Sequence, residues 1–140
     1  MTMGERLRHL KDIAKDAEIL FVEDSDNVRT GTYNILKSFF HTIITANDGA
    51  TGLDIYRYKF EKEYKGFGIV ITDIKMPKMS GLEMITEMKK LNPEQKIVVV
   101  SACEDDITKN AAKAIGVDEY IVKPIELENI ITTFTKILES

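Results

Sequence analysis

A single cysteine, Cys103, stands among 140 residues, so neither an internal disulfide framework nor a cysteine-based zinc site can form, and a free thiol fits a reducing compartment. There is no excess of basic charge: 19 lysines and arginines face 23 acidic residues. Such a balance gives no reason to expect a nucleic-acid-binding surface or a membrane-surface patch. Long apolar runs are missing too. The opening MTMGERLRHLKDIAKD carries charges throughout and lacks the uninterrupted stretch that a secretion signal or membrane span requires, so a cytoplasmic protein is expected. No internal repeat, low-complexity tract or linker is visible. With 44% of its residues apolar, the chain has the size and composition of one domain around one core.

What is present is an alternation of short apolar runs with helical patterns, the signature of a parallel sheet with crossover helices on its faces. Strands are predicted at Ile19 to Val22, Thr42 to Ala46, Phe67 to Thr72, Ile97 to Ser101 and Glu119 to Val122. The third and fourth, GIVIT and IVVVS, are continuously apolar, as central strands covered on both faces should be. Helices are predicted at Asn27 to Phe40, Thr51 to Tyr64, Leu82 to Leu91, Asp106 to Ile115 and Leu127 to Leu138. Asp26, Asp48 and Asp105 stand where they can cap helix starts, and Pro93 and Gly116 mark stops. Apolar residues at Leu7, Leu10, Ile13 and Ala14 predict an extra short helix before the first strand. The stretch KFEKEYKGFG reads as a charged, solvated connection into the third strand.

In an open parallel sheet, ligands bind outside the carboxyl ends of the strands, where the strand order reverses. Those ends are polar here: Glu23 and Asp24 follow the first strand, Asp73 the third, Ser101 closes the fourth, and Lys123 with Pro124 follows the fifth. Three carboxylates in one crevice persist only if protons or a cation offset their charge. An all-oxygen ligand set favours a hard cation, and Mg2+ needs few protein ligands and completes its shell with water and phosphate oxygens. Lys123 adds a fixed positive charge. The set suits phosphoryl transfer, with Asp73 as nucleophile and Ser101 as a donor to the arriving group. Met76, Pro77 and Gly81 fit a tight loop beneath Asp73, with Gly81 relieving backbone strain. Cys103, His9 and His41 read as structural or surface residues.

The runs FVEDS, ITDIKMPKMSGLEM, VVVSA and GVDEYIVKPIE, in this order and at these strand ends, resemble the receiver domains of response regulators in two-component signalling. The resemblance covers nearly all of the chain after residue 16, dividing it into an N-terminal extension, 1–16, and a receiver domain, 17–140. It implies an α/β, flavodoxin-like, doubly wound (βα)5 three-layer sandwich with its five-stranded parallel sheet in the order 2-1-3-4-5. It implies that Asp73 accepts phosphate from the histidine of a sensor kinase or phosphotransfer protein, with Asp24 and Asp73 ligating Mg2+ directly and Glu23 acting through water. By the same resemblance the backbone carbonyl of Lys75 would supply a further metal ligand, Lys123 would pair with the phosphoryl group, Ser101 and Tyr120 would be the switch residues, and the Lys123–Pro124 peptide would be cis. The loop departs from the usual pattern at Lys75, Lys78 and Ser80.

A domain of this kind is a phosphorylation-activated switch rather than a turnover enzyme. Its expected output is a partner protein or appended domain reading the surface of the fourth core helix, fifth strand and fifth core helix, through which a homodimer can also form. Direct nucleic-acid or membrane binding is not expected. Two rivals share the architecture. A flavin-binding redox module needs a neutral, hydroxyl-rich first loop, whereas this one opens with Glu23, Asp24 and Asp26. An aspartyl-phosphate hydrolase normally carries a second acid two residues past its nucleophile, where this chain has Lys75.

Overall fold

The computed structural model describes residues 1–140. Six helices and five strands alternate: α1 (Met3–Ala14), β1 (Glu18–Val22), α2 (Asp26–Leu36), β2 (Thr42–Ala46), α3 (Gly49–Glu63), β3 (Ile69–Thr72), α4 (Gly81–Leu91), β4 (Ile97–Ser101), α5 (Asp106–Ala114), β5 (Glu119–Val122) and α6 (Leu127–Glu139). All strand pairs are parallel and the order is β2-β1-β3-β4-β5, as the resemblance implies. Successive residues of a strand face opposite sides, so β1 feeds two cores. Ile19 and Phe21 join Leu36, Phe40, Ile71, Val98, Ile130 and Phe134 under α2 and α6. Leu20 and Val22 join Leu53, Tyr56, Val70, Met84, Met88 and Val99 under α3 and α4.

The N-terminal helix forms, with Thr2 and Glu5 as a reciprocal capping box. Leu10 and Ala14 are fully buried in the α2/α6 core. Arg6 makes a forked pair to Glu128 of α6 at 3.1 and 2.8 Å, and His9 meets Glu139 at 2.6 Å. The helix is thus packed onto α6 and shares its core.

Four local expectations change. Helix α2 ends at Leu36 rather than Phe40, because Phe39 and Phe40 turn inward to the core as the chain bends toward β2. Its cap is Ser25, whose hydroxyl accepts the Val28 N–H at 3.3 Å, and Asp26 is already helical. Strand β3 begins at Ile69 rather than Phe67. The reason is Gln95, whose side-chain amide accepts from the Phe67 N–H (3.1 Å) and donates to its carbonyl (2.8 Å), standing in for a strand partner. Finally, KFEKEYKGFG is no solvated connection over its first half. Helix α3 runs to Glu63, within one residue of the predicted end at Tyr64, but Lys59 in it is only 6% exposed, its ammonium donating to Glu63 (2.9 Å) and Glu18 (3.1 Å) and lying 5.2 Å from the centre of the Phe67 ring. Gly116, at φ 95°, supplies the left-handed turn after α5 that a side chain would resist.

Gln95 also accepts the Tyr56 hydroxyl at 2.7 Å. Gln95→Leu would therefore strand several buried polar groups at once, and the expected loss is about 2–4 kcal/mol of unfolding free energy in urea titrations. A loss under about 1 kcal/mol would mean the amide does not replace the strand ladder.

Candidate functional site

The carboxyl ends of β1, β3, β4 and β5 lie side by side because the sheet register aligns them: Val22 opposes Thr72, and Ser101 opposes Val122. The residues just past these ends therefore converge. Lys123 donates to Asp73 Oδ2 and to Glu23 Oε1, both at 2.7 Å. Carboxylate oxygens of Glu23, Asp24 and Asp73 lie within 4.8 Å of one another. Residues a hundred positions apart in sequence share one pocket.

The three carboxylates are not equivalent. Glu23 is buried, at 2% exposure, and its second oxygen accepts the Ser25 N–H at 3.2 Å. Burial pushes its carboxyl above the ordinary range, against the opposing pull of Lys123. Asp73 keeps 12% of its side chain exposed, and its Oδ1 accepts the Ile74 N–H at 2.6 Å. Asp24 is exposed. Burial works against the charge of Lys123, but its hydrogen bonds to Asp73 and Glu23 outweigh that, and the ammonium is held above the ordinary lysine value. Three carboxylates against one ammonium leave net negative charge in an oxygen-only cluster, a donor set that fits a hard divalent cation.

The backbone around Asp73 is clamped. Thr72, fully buried, donates its hydroxyl to the Asp73 carbonyl at 2.8 Å. The Gly81 N–H donates to the Ile74 carbonyl at 2.7 Å. A Cβ at Gly81 would lie 2.0 Å from the Asp73 carbonyl oxygen. Gly81 is thus required by close approach, not by the backbone strain expected from the sequence. The strained residue of the loop is Lys78, at φ 69°, whose ammonium lies 3.6 Å from Asp48. Lys75 stands exposed two residues past Asp73.

Ser101 and Tyr120 are tied together through Cys103, a residue that sequence reasoning set aside. The Cys103 N–H donates to Ser101 Oγ at 3.1 Å, and the Tyr120 hydroxyl donates to the Cys103 carbonyl at 2.8 Å. Ser101 is 2% exposed, and the Tyr120 ring packs against the α3/α4 core. Burial raises the Tyr120 hydroxyl's pKa. The Cys103 thiol donates to Asp105 at 2.8 Å, and Asp105 caps α5 through the Thr108 N–H at 2.6 Å. No sequence signal marked Cys103, since its role rests on backbone groups every residue has. On the other side, beside Lys123 and Pro124, Val28, Gly31, Ile35 and Ile125 line an apolar groove between α2 and the start of α6.

A parallel sheet in this order, with an acidic trio and a lysine at its carboxyl edge, defines a class of phosphorylation-controlled signalling domain. This chain belongs to the response regulator receiver domain family, which it matches over residues 19–135. It is a receiver of two-component signalling. It is 29% identical over 122 residues to the chemotaxis protein CheY of Treponema pallidum, covering 86% of this chain and 82% of that one. It is 30% identical over 135 residues to the sensor kinase CckA of Brucella abortus, covering 96% of this chain but 14% of that protein. Among solved structures, a response regulator receiver domain protein from Clostridium thermocellum superposes with a TM-score of 0.77 at 26% identity, over 88% of this chain and 94% of that one. The chain spans 14 to 28% of the length of several curated relatives it matches.

Two outcomes follow from the geometry. Lys123→Met leaves Glu23 buried without its cation, and should lower unfolding free energy by about 3 kcal/mol near neutral pH. Urea titrations measure this, and an unchanged midpoint would show that the pair contributes nothing. Asp105 is pulled from the ordinary 3.8 to about 2, first by the Cys103 thiol and then by the Thr108 N–H. Its folded value lies below the unfolded one, so its capping contribution is present above about pH 3.8 and is lost as pH falls toward 2. Carboxyl carbon shifts followed against pH should place the Asp105 midpoint near 2, and a midpoint at the ordinary value would dispose of the cap.

Proposed function

We propose that this receiver switches by Mg2+-dependent phosphorylation of Asp73, catalysing only the gain and loss of its own phosphoryl group. The observation that carries this reading is the convergence of Lys123 on Asp73 at 2.7 Å inside the acidic trio. Asp73 attacks the phosphorus of a phosphohistidine donor: an oxygen–phosphorus bond forms at the carboxylate as the nitrogen–phosphorus bond breaks, and the histidine leaves carrying the electron pair. Asp24 and Asp73 would hold the ion directly, with the Lys75 carbonyl, and Glu23 through water. Bound there, the ion neutralises charge on the phosphoryl oxygens.

The remaining work falls to the chain. Lys123 already faces the acceptor carboxylate and is positioned to hold a phosphoryl oxygen as charge builds. Glu23 keeps the ammonium in place from behind. The clamp formed by Thr72 and Gly81 fixes the backbone from which Asp73 projects. Adding about two negative charges at Asp73 creates acceptors toward which the Ser101 hydroxyl can turn. Because the Cys103 backbone bonds both Ser101 and Tyr120, movement of Ser101 loosens the hydroxyl anchor of the Tyr120 ring, and the surface of α5, β5 and α6 responds. Both conformations must lie within a few kcal/mol for one phosphoryl group to shift their balance.

The donor is a sensor histidine kinase or a phosphotransfer protein. The apolar groove beside Lys123 offers it a seat next to the acceptor. The reader of the switch is an output protein or appended domain, or a second copy, at the α5, β5 and α6 face. Occurrence of the family within much longer relatives supports appended partners. The net charge of −4 gives no support to direct nucleic-acid binding, and no helix is long and apolar enough to cross a membrane. We place its work in the cytoplasm, where its donor kinases present their phosphohistidines. The test is treatment with acetyl phosphate and Mg2+ followed by intact mass. One labile phosphoryl adduct is expected, lost after chelation and absent in Asp73→Asn. An adduct that survives in Asp73→Asn would overturn the assignment.

A further inference from the structure

The sheet's two edges are finished differently. On β5, Glu119 pairs with Lys136 of α6 at 2.6 Å, and the strand runs directly into Lys123 and Pro124. On the opposite edge, β2 reads TIITA, with no charge, proline or glycine, and its five residues pair with β1 without a bulge. Exposed edge strands are ordinarily guarded by one of those devices, because an open row of N–H and C=O groups is a template for further pairing. The ladder tells which groups are open. The Glu23 N–H donates to the Ala46 carbonyl at 3.0 Å, so Ala46 turns toward β1, and Ile44 and Thr42 turn with it. Ile43 and Thr45 therefore present their backbone groups to the free side. Thr42, Ile44 and Thr45 are exposed, Ile44 by 40%.

We infer that this edge is a homodimer interface, in which two copies pair their β2 strands antiparallel about a two-fold axis at Ile44, joining two sheets into one. The strand is self-complementary. The axis sets Ile44 against Ile44 of the second copy, Ile43 against Thr45, and Thr42 against Ala46. Any charge at the axis would meet its own sign, and TIITA has none. Hydrogen-bond parity agrees: the outward-turned Ile43 and Thr45 form the bonded pairs, and Ile44 falls in the close non-bonded position, where Cα atoms are about 4.5 Å apart and side chains touch. Charge along the seam also matches. Asp26, Arg29 and Tyr33 lie on one stripe of α2 that Lys37 continues at its C-cap, and Arg29 and Tyr33 share a shallow groove with Ile43 and Thr45. Antiparallel pairing brings the exposed Asp26, paired with Arg29 at the start of one α2, toward Lys37 at the C-cap of the other. This interface is separate from the α5, β5 and α6 face and needs no phosphoryl group.

Sedimentation equilibrium on the unmodified chain, from low to high micromolar concentration, tests the inference apart from Asp73 chemistry. The mass should rise toward twice 15.9 kDa, and Ile44→Lys should move the midpoint at least about tenfold higher in concentration. Ile44→Cys in a Cys103→Ser background, a milder change, should form an intermolecular disulfide under mild oxidation, since the paired positions meet the required Cα separation. Asn110→Cys on α5, in the same background, should not. A chain that stays monomeric throughout, or a dimer that ignores Ile44→Lys and cross-links through Asn110→Cys instead, would overturn it.

Discussion

Lys123 is the one cation reaching into a cluster of three carboxylates, with Asp73 and Glu23 each 2.7 Å from its ammonium. Withdrawing Glu23 from water costs several kcal/mol unless a partner offsets it, and Lys123 is that partner. The sheet register sets the ends of β1 and β3 side by side, and this ion pair ties both to the residue that follows β5. The same link leaves Asp24 facing solvent and holds an ammonium 2.7 Å from Asp73 Oδ2. What remains at the edge is an oxygen-only donor set that fits a hard divalent cation.

Around that centre the backbone is held by close contacts on one side and by a short hydrogen-bonded chain on the other. Beneath Asp73, the Thr72 hydroxyl and the side-chain-free Gly81 pin the carbonyl, and the following loop seats its Met79 carbonyl where a Cβ at Gly49 would come within 2.3 Å. Beyond β4, Ser101, Cys103 and Tyr120 are joined by two hydrogen bonds through one residue's backbone, a chain that one rotated hydroxyl can break. The layer behind, made by α2 and α6, is further tied by α1 through Arg6 and His9, which makes the N-terminal helix part of the layer carrying α6.

Much of this was legible in the residues. Continuous apolar runs located β3 and β4, and Asp48 and Asp105 cap α3 and α5 where their positions predicted. The site residues were legible as strand ends. Two of the departures share one cause, side chains recruited by distant partners. Gln95 replaces strand pairing for Phe67 from 28 residues away, and Lys59 is buried because Glu18 and Phe67 receive it. The second had a local signal, since Gly52, Tyr56, Lys59 and Glu63 fall on one helical stripe. The first had none.

By itself the sequence determined which faces are apolar, where chain direction reverses, and which chemistry stands at each strand end, because period and local propensity act over a few residues. Tertiary structure decided that Glu23 rather than Asp24 takes the lysine, that Gly81 answers to contact rather than to φ, that Cys103 joins Ser101 to Tyr120, and that β2 keeps an open edge. Those outcomes depend on distances between atoms far apart in the chain, which are fixed only once the strands are in register.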